Sequence, residues 1–242
     1  MLLKEKNIRS VVKGISWRFL ATATTVAIIY VFFGKLTLAV AAGAVEATTK
    51  IILYWAHERI WQRIGWGIRK VEPFNVWFTG LPLSGKSTIA RLVHERMKNE
   101  GINVDWIDSS QIRRLIPDIG YTRKERVKHL KRIAYLVKKL QDNDVSVICS
   151  FISPYEETRE NVRKITKNSV IVYTKASVEE CKRRDYKGLY EKALSGQIKH
   201  FTGISDQFEE PQNADIVIDT EKTSPEKAAD MIVKYVLRRF VK

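Results

Sequence analysis

The sequence predicts an α/β fold, a parallel β-sheet flanked by helices, preceded by two apolar helices. Three observations lead to this prediction. From about residue 73 to the C-terminus, apolar runs alternate with amphipathic stretches, as expected for parallel strands joined by helices. A glycine-rich loop stands between the first apolar run of that region and its first amphipathic stretch. Two longer apolar runs fill much of residues 1–70.

The glycine-rich loop matches the pattern G-x-x-x-x-G-K-[ST] from Gly80 to Ser87. A buried strand is predicted directly before it and a helix directly after it, which is the context that the pattern requires. In such loops backbone N–H groups surround phosphates, and the helix dipole favours negative charge. We expect Lys86 to reach the β- and γ-phosphates of ATP and the Ser87 hydroxyl to bind Mg²⁺. The fold class is therefore predicted to be a P-loop NTPase-type parallel sheet.

Charge and cysteine content narrow the choice of partners. The net charge of +15 over 242 residues indicates anionic partners such as nucleotides, anionic lipid or nucleic acid. Residues 1–70 carry eleven Lys and Arg against three Asp and Glu. Beside two apolar runs this excess favours lipid headgroups over nucleic acid. Cys149 and Cys181 lack the spacing of a metal site, and we expect two free thiols in a reducing compartment.

The two N-terminal apolar runs predict a transmembrane helical hairpin. They extend over Ile15–Phe33 and Leu36–Trp55, separated by Gly34-Lys35. Each is roughly long enough to cross a hydrocarbon core of ~30 Å as a helix. Basic residues flank the outer ends, so the positive-inside rule places both termini in the cytoplasm. We predict a membrane-anchoring domain over residues 1–70 and a cytoplasmic domain over residues 71–242.

Two charges interrupt the second run. Glu46 and Lys50 lie four residues apart, so they can pair on one helix face, as charges at membrane depth usually require. One alternative is a soluble core helix or a helix lying on the membrane surface. Another is a signal peptide, because residues 39–44 resemble cleavage sites. The triphosphate-binding loop downstream disfavours the signal peptide because it needs cytoplasmic nucleotide.

The same segment resembles a small two-helix predicted membrane domain of unassigned function over residues ~8–66. The resemblance rests on Ser16-Trp17-Arg18, an Ala/Thr-rich helix, Glu46, Lys50 and His57–Trp61. It implies a membrane location and no chemistry. We interpret His57 as a histidine at the interfacial end of a helix.

The elements of the second domain place candidate site residues at one edge of the sheet. Ligands of parallel sheets bind beyond the carboxyl ends of the strands. We predict strands at 75–80, 103–107, 145–151, 169–174 and 215–219. Predicted helices cover about 86–99, 110–116, 123–142, 156–166, 177–184 and 224–240.

Asp108 follows the second of these strands. A carboxylate there can hold Mg²⁺ through water or take the proton of an attacking hydroxyl, and the alternative is a helix-capping role. Arg113 and Arg126 are candidate ligands for a phosphate or sulfate. The charged stretch after the fourth strand, up to Pro211, has no strand pattern. We interpret it as a lid that closes over phosphates, with an exposed insertion as the alternative.

Residues ~73–240 resemble adenylylsulfate kinases. The resemblance implies ATP-dependent phosphorylation of the 3′-hydroxyl of adenylylsulfate to 3′-phosphoadenylylsulfate, with a possible homodimer. The matching stretches are Gly80–Ser87, Phe151–Tyr155, Val172–Ser177, Lys187–Tyr190 and Phe201–Ile204.

The resemblance also assigns roles to residues. Tyr121 and Phe201 would enclose the adenine of the acceptor, which suits two flat rings. Ser153 matches a serine that some members carry as phosphoserine, and we expect it to position groups because in-line transfer needs no covalent intermediate. The expected catalytic residues are Lys86, Asp108 and Ser153, and the expected Mg²⁺ ligands are Ser87 and Asp108. The expected ATP-binding residues are Gly80, Leu81, Pro82, Leu83, Ser84, Gly85, Lys86, Ser87, Thr88 and Arg184. The expected acceptor-binding residues are Arg113, Tyr121, Arg126, His129, Ile152, Lys187 and Phe201.

Two stretches depart from the family pattern, both on the acceptor side. The family's D-G-D-N-x-R is Asp108-Ser-Ser-Gln-Ile-Arg113 here, so Ser110 replaces an acid. In the stretch R-x-x-N-I-R, His129 replaces an asparagine and Lys131 an arginine. The leading prediction is a membrane-anchored adenylylsulfate kinase. The alternatives are a kinase of the same fold for another hydroxyl acceptor, or a nucleotide-sensing membrane protein without turnover.

Overall fold

The computed structural model describes residues 3–5, 7–31, 36–64 and 68–242. Its chain divides into two compact units, one over Leu3–Lys70 and the other over Val71–Lys242. Residues 71–242 are described without a gap. Gly34 and Lys35, the turn expected between the apolar runs, lie outside the described residues.

The N-terminal unit is a pair of antiparallel helices whose outer ends are joined by a small sheet. Helix α1 covers Asn7–Val31 and α2 covers Leu36–Arg63. Strand β1 (Leu3–Glu5) pairs antiparallel with β2 (Ile68–Lys70), and neither strand was expected from the sequence. Among the described residues, no helix combines the length and the apolar character needed to cross a bilayer.

A charged group in the middle of the unit joins the two helices. Lys50 Nζ is bonded to Glu46 Oε1 one turn away on α2, so the pair expected from the spacing is present. Thr25 Oγ1 of α1 lies 2.9 Å from the same carboxylate oxygen. The carboxylate therefore links the helices and also holds the ammonium group.

Further polar contacts join the helices nearer their outer ends. Lys13 forms an ion pair with Glu58 at 2.8 Å, and Ser16 Oγ lies 2.8 Å from His57 Nε2. Trp61 Nε1 donates to the same imidazole nitrogen at 3.0 Å. Because an indole N–H can only donate, Nε2 is the acceptor of this hydrogen bond. Polar groups thus lie along the contact between the helices.

Many large apolar side chains of this unit are exposed, although Trp17 of α1 and Tyr54 of α2 pack against each other across the helices. Phe19 is 80% exposed, and residues of the same kind recur on α1 at helical spacing. In this unit polar groups lie at the contact between the helices and many apolar groups lie on the outside. A helical pair in water has the reverse arrangement, because it buries its apolar faces against each other. The exposed apolar residues are Ile8, Val11, Val12, Ile15, Phe19, Ile29 and Val31 on α1, and Val45, Ile51, Ile52, Tyr54, Trp55 and Ile60 on α2.

The second unit contains the predicted parallel sheet. Its strands are β3 (Asn75–Thr79), β4 (Val104–Asp108), β5 (Ser146–Ser150), β6 (Ser169–Lys175) and β7 (Ile216–Asp219). The order across the sheet is β4-β5-β3-β6-β7, and all neighbours are parallel. Each strand begins and ends within one residue of its predicted bounds. The central strand, β3, leads directly into the glycine-rich loop.

Helices cover both faces of this sheet. All helices expected from the sequence are present. One further helix, α8 (Leu189–Leu194), was not expected, because its six residues lie in the charged stretch that was interpreted as a lid. Tyr190 and Ala193 of α8 are buried, so this part of the lid is packed. The helices are α3 (Lys86–Asn99), α4 (Ser109–Leu115), α5 (Arg123–Asp142), α6 (Glu156–Ile165), α7 (Val178–Arg183), α8 (Leu189–Leu194) and α9 (Pro225–Phe240).

The alternation of side chains along β3 explains the two cores. Val76 and Phe78 face the core made with α3 and α9, where Ile232 is buried. Trp77 faces the opposite core, made mainly with α5 and α6. All five residues of β3 are buried, as a central parallel strand requires.

The packing of α9 gives a stability prediction. We expect Ile232→Ala to lower the free energy of unfolding by about 2–5 kcal/mol, because it opens a cavity in a fully buried core. Met231→Ala, at the neighbouring exposed position, should change it by no more than about 0.5 kcal/mol. Urea unfolding followed by tryptophan fluorescence measures both, and equal losses would contradict this packing.

Candidate active site

The glycine-rich loop turns sharply between β3 and α3. Gly80 and Gly85 have φ angles of 147° and 93°, in the region that favours glycine. A Cβ atom on Gly80 would lie 2.5 Å from the carbonyl oxygen of Thr174. The close approach of β6 therefore excludes any side chain at Gly80. Ser84 joins the loop to the same residue of β6, because its Oγ lies 2.8 Å from Thr174 Oγ1.

The ammonium group of Lys86 lies within this loop. Nζ donates to the carbonyl oxygens of Gly80 and Leu81 at 3.0 and 2.6 Å. Burial lowers the pKa of Lys86 to about 8, even though nearby Asp108 acts in the opposite direction. Nζ also donates to Ser84 Oγ at 3.3 Å. A buried ammonium held only by uncharged oxygen atoms is a strong binding partner for an anion such as a phosphate group.

Asp108 connects the ends of two neighbouring strands, β4 and β5, with the starts of helices α3 and α4. It is the last residue of β4, and its Oδ2 accepts hydrogen bonds of 2.6 Å from both Ser87 Oγ and Ser150 Oγ. Its Oδ1 accepts from the backbone N–H of Ser110 at 2.8 Å, which caps α4. Asp108 therefore caps α4, which is the alternative weighed from the sequence, and it also lines the cavity beyond the strand ends. Its part in metal binding or proton transfer stays a prediction.

These contacts keep Asp108 ionised. Burial raises the pKa of the carboxyl, but the hydrogen bonds from Ser110, Ser150 and Ser87 outweigh it and the pKa lies below its ordinary value. An ionised carboxylate beside the Ser87 hydroxyl offers two oxygen ligands of the kind that Mg²⁺ prefers. The residues present therefore fit a magnesium ion at this position.

Ser150 is a site residue that sequence reasoning missed. It stands directly opposite Asp108 in the register of β4 and β5. Trp106 Nε1 donates to Ser150 Oγ at 3.0 Å, so the hydroxyl proton of Ser150 is directed at Asp108. Its place at the carboxyl end of a strand was the available signal.

The two arginines proposed for the acceptor both contact main-chain carbonyl groups. Arg113 Nη1 donates to Ile119 O at 2.7 Å, and its guanidinium lies 4.0 Å from the centre of the Tyr121 ring. Arg126 is buried, and its Nε donates to Tyr121 O at 2.7 Å. Both side chains line the cavity beyond the strand ends, where they add positive charge.

That cavity brings most of the predicted site together. It has a volume of about 770 Å³ and includes Tyr121, which is 48% exposed, and Phe201, which is buried edge-to-face against Tyr190. Both aromatic residues thus line the same cavity as the phosphate loop. Predicted site residues that line it are Pro82, Leu83, Gly85, Lys86, Ser87, Thr88, Asp108, Arg113, Tyr121, Arg126, Ile152, Arg184, Lys187 and Phe201.

Other predicted residues lie outside the cavity lining. The Leu81 side chain packs beside Gly203, where a Cβ atom would come within 2.8 Å of it, and it lines a separate groove. Gly80 and Ser84 lie on the side of the loop that contacts Thr174 of β6. For Leu81 the expected ATP contact is therefore confined to its backbone.

Ser153 is placed in the core. Its side chain is buried, and its Oγ accepts the indole N–H of Trp77 at 2.8 Å. Its φ of 43° is unusual for serine, and Arg159 Nη1 holds its carbonyl oxygen at 2.7 Å. These contacts suit a residue that positions the strand end, and in this conformation its hydroxyl is shielded from phosphorylation.

His129 lies beside Ser153 in a small cavity next to the main one. Arg113, Tyr121 and Arg126 line both cavities. The imidazole is buried, and its Nε2 has no hydrogen-bond partner among the described residues. Burial, followed by the charges of Arg113 and Arg132, lowers its pKa to about 4. His129 is therefore a neutral group with an unpaired nitrogen on the acceptor side.

Comparison with known proteins identifies relatives of both units. The sequence model of the adenylylsulphate kinase family matches residues 72–219. A second family model, described as a predicted membrane protein (DUF2061), matches residues 11–62. An adenylyl-sulfate kinase of Thermodesulfovibrio yellowstonii is 46% identical over 168 residues, which are 68% of this chain and 84% of that protein. A probable adenylyl-sulfate kinase of Aeropyrum pernix is 47% identical over 156 residues, 62% of this chain and 85% of that protein.

A solved structure of the same family resembles the second unit. The Mycobacterium tuberculosis APS kinase in complex with AMPPNP and APS superimposes with a TM-score of 0.66 at 33% identity, covering 69% of this chain and 99% of that one. The resemblances drawn from the sequence are thus confirmed for both segments. Since the kinase model matches more than half of the residues, the chain belongs to the adenylylsulphate kinase family.

Proposed function

We propose that this protein transfers the γ-phosphate of ATP to the 3′-hydroxyl of adenylylsulfate, forming 3′-phosphoadenylylsulfate, and that its helical unit anchors it to a lipid bilayer. In this proposal residues 71–242 form the kinase domain and residues 1–70 the anchor. The observation that carries the kinase assignment is the shared cavity, which is lined by a phosphate-binding loop, two arginines and two aromatic residues. Its volume of about 770 Å³ lies in the upper part of the range of small-molecule sites.

The phosphate loop and Lys86 would hold the triphosphate. Ser87 and Asp108 would hold Mg²⁺, which would neutralise charge on the β- and γ-phosphates. Phosphoryl transfer passes through a loose transition state, so catalysis relies on alignment and charge neutralisation. The hydrogen bonds that fix Asp108 from three sides serve that alignment.

The acceptor would lie between Tyr121 and Phe201. Arg113 and Arg126 offer charge to its phosphosulfate group, and aromatic faces offer stacking to its adenine. Lys187, at the lid side of the same cavity, adds a further positive charge near the transferred group.

Two observations favour a second candidate, a kinase for a different hydroxyl compound. His129 presents a neutral, unpaired nitrogen beside the acceptor cavity, and Ser110 uses its side chain to bond Asp108. A binding site with different hydrogen-bonding groups selects a different ligand. Only the first candidate forms 3′-phosphoadenylylsulfate from adenylylsulfate, so the acceptor assay below decides between the two.

The anchoring proposal rests on how side chains are distributed in the helical unit. Polar and charged groups lie between the helices, and large apolar residues such as Phe19 and Ile51 face outward. Apolar surfaces of this extent on a helical pair are stable when covered by hydrocarbon. Trp55 and Tyr54, near the outer end of α2, are exposed where aromatic residues sit at a membrane surface. The match to a family described as a predicted membrane protein supports the same proposal.

The kinase assignment predicts a specific loss on changing Asp108. Purified protein with Mg·ATP and adenylylsulfate should form 3′-phosphoadenylylsulfate, and Asp108→Asn should lower the rate by about a hundredfold or more because it removes the charge that aligns the metal. Asp105→Asn, on the exposed side of the same strand, is the matched control. Product analysis by anion-exchange chromatography measures both. Formation of another phosphorylated product from a different hydroxyl compound, with none from adenylylsulfate, would select the second candidate.

His129 gives a prediction about stability and pH. Its pKa is about 4 in the folded protein against an ordinary value of 6.5. As pH falls from 6.5 towards 4 the unfolded chain gains a proton that the folded protein does not, so the free energy of unfolding should decrease by up to about 1 kcal/mol per pH unit. His129→Asn should remove this contribution. Urea unfolding at several pH values between 4.5 and 7.5 tests it, and parallel pH curves for the two proteins would contradict it.

Anchoring predicts binding to vesicles. Full-length protein should float with phosphatidylcholine vesicles containing phosphatidylglycerol, and Ile15→Glu with Phe19→Glu should reduce the bound fraction severalfold by placing charge on the outward face. Met231→Glu places the same charge on an exposed apolar position of the kinase domain and is the control. Equal flotation of all three proteins would contradict the assigned face.

A further inference from the structure

Arg126 joins the two segments that carry the aromatic rings. We call residues 116–122, which carry Tyr121, the ring loop, and residues 198–206, which carry Phe201, the lid turn. Arg126 Nε donates to Tyr121 O at 2.7 Å, and Nη2 donates to His200 O at 2.6 Å. Both acceptors are main-chain atoms at or next to the ring-bearing residues. One buried guanidinium therefore ties both segments to α5.

The lid turn is rigid enough to transmit this contact to Phe201. The carbonyl oxygen of Phe201 accepts the N–H groups of Ile204, Ser205 and Asp206, and its own N–H donates to Ser205 Oγ at 2.9 Å. His200 has a φ of 56°, so the backbone bends sharply where Arg126 holds it. A shift of the His200 carbonyl group would therefore move the Phe201 ring.

The ring loop is held in the same manner. Arg113 donates to Ile119 O, while Arg126 holds Tyr121 O two residues later. The Tyr121 ring lies with its centre 4.0 Å from the guanidinium carbon of Arg113 and 5.4 Å from that of Arg126. Main-chain hydrogen bonds and cation–π contacts together fix its position.

We propose that Arg126 sets the spacing between Tyr121 and Phe201, and so positions the adenine of the acceptor, in addition to contacting the acceptor's anionic group. This inference rests on the proposed function, because it takes the rings to enclose an adenine. Stacking needs ring planes at a defined separation from the base, so a change of spacing weakens binding even when both rings remain.

The guanidinium suits both tasks at once. It has five N–H donors in a fixed plane, and the two main-chain contacts use Nε and one nitrogen at its end. The remaining donors can face an anion in the cavity. A lysine would keep the charge but could not hold two carbonyl groups in this fixed geometry. Arg126→Lys therefore separates the positioning role from the charge.

The test compares ligands with and without an anionic group. With the ATP site filled by ADP and Mg²⁺, saturation-transfer NMR measures the binding of adenylylsulfate, AMP and adenosine to wild-type protein and to Arg126→Lys. If Arg126 sets the ring spacing, all three ligands should bind about tenfold more weakly to the variant, adenosine included, because stacking on both rings is impaired. Loss confined to adenylylsulfate and AMP would overturn the inference and leave Arg126 as an anion ligand.

A matched control and a second measurement complete the design. Arg123→Lys changes an exposed arginine of the same helix, which contacts Tyr155 and Glu209, and should bind all three ligands as wild type does. Hydrogen exchange of the ligand-free proteins should be faster in both the ring loop and the lid turn of Arg126→Lys. Unchanged exchange in both segments would overturn the inference without any ligand.

The two proposals fail in different ways. If wild-type protein binds ADP but binds none of adenylylsulfate, AMP and adenosine, the proposed acceptor is wrong. The exchange measurement then still decides whether Arg126 joins the two segments. If wild-type protein binds adenylylsulfate and the variant loses adenosine binding, both proposals stand.

Discussion

The carboxylate of Asp108 is the contact on which the arrangement of the site depends. It accepts hydrogen bonds from Ser87 at the start of α3, from Ser150 at the end of β5 and from Ser110 at the start of α4. Three chain segments that are distant in sequence are thereby fixed within a few ångströms. The low pKa that these donors produce keeps the group charged, which in turn keeps the hydroxyl groups directed at it. Alignment of the phosphate loop with the rest of the cavity follows from this one group.

Much of the kinase domain could be predicted from sequence because its signals are local. The glycine-rich loop and the buried strands have strong patterns, and each strand of the sheet begins and ends within one residue of its predicted bounds. Helix α8 was missed because a six-residue helix among charged residues has no clear period. Strands β1 and β2 were missed for the same reason, because each has three residues, and both helices lie between them in the sequence.

Contacts between segments were harder to predict than the segments themselves. Ser150 carries no motif, and its role depends on the strand register that places it opposite Asp108. Ser153 follows a strand end in the sequence, but the indole of Trp77 from the central strand holds its hydroxyl in the core. The spacing of Glu46 and Lys50 predicted their pairing, whereas the contact with Thr25 depends on how two helices align. Tertiary partners of this kind have no signature in a single sequence.

The pairing of β1 with β2 has a consequence for the two helices of the N-terminal unit. Leu3 lies opposite Lys70, so the chain enters and leaves the unit at the same end. Two helices that are connected only at one end can splay apart at the other, and the pairing of β1 with β2 opposes this by holding the outer ends of α1 and α2 together.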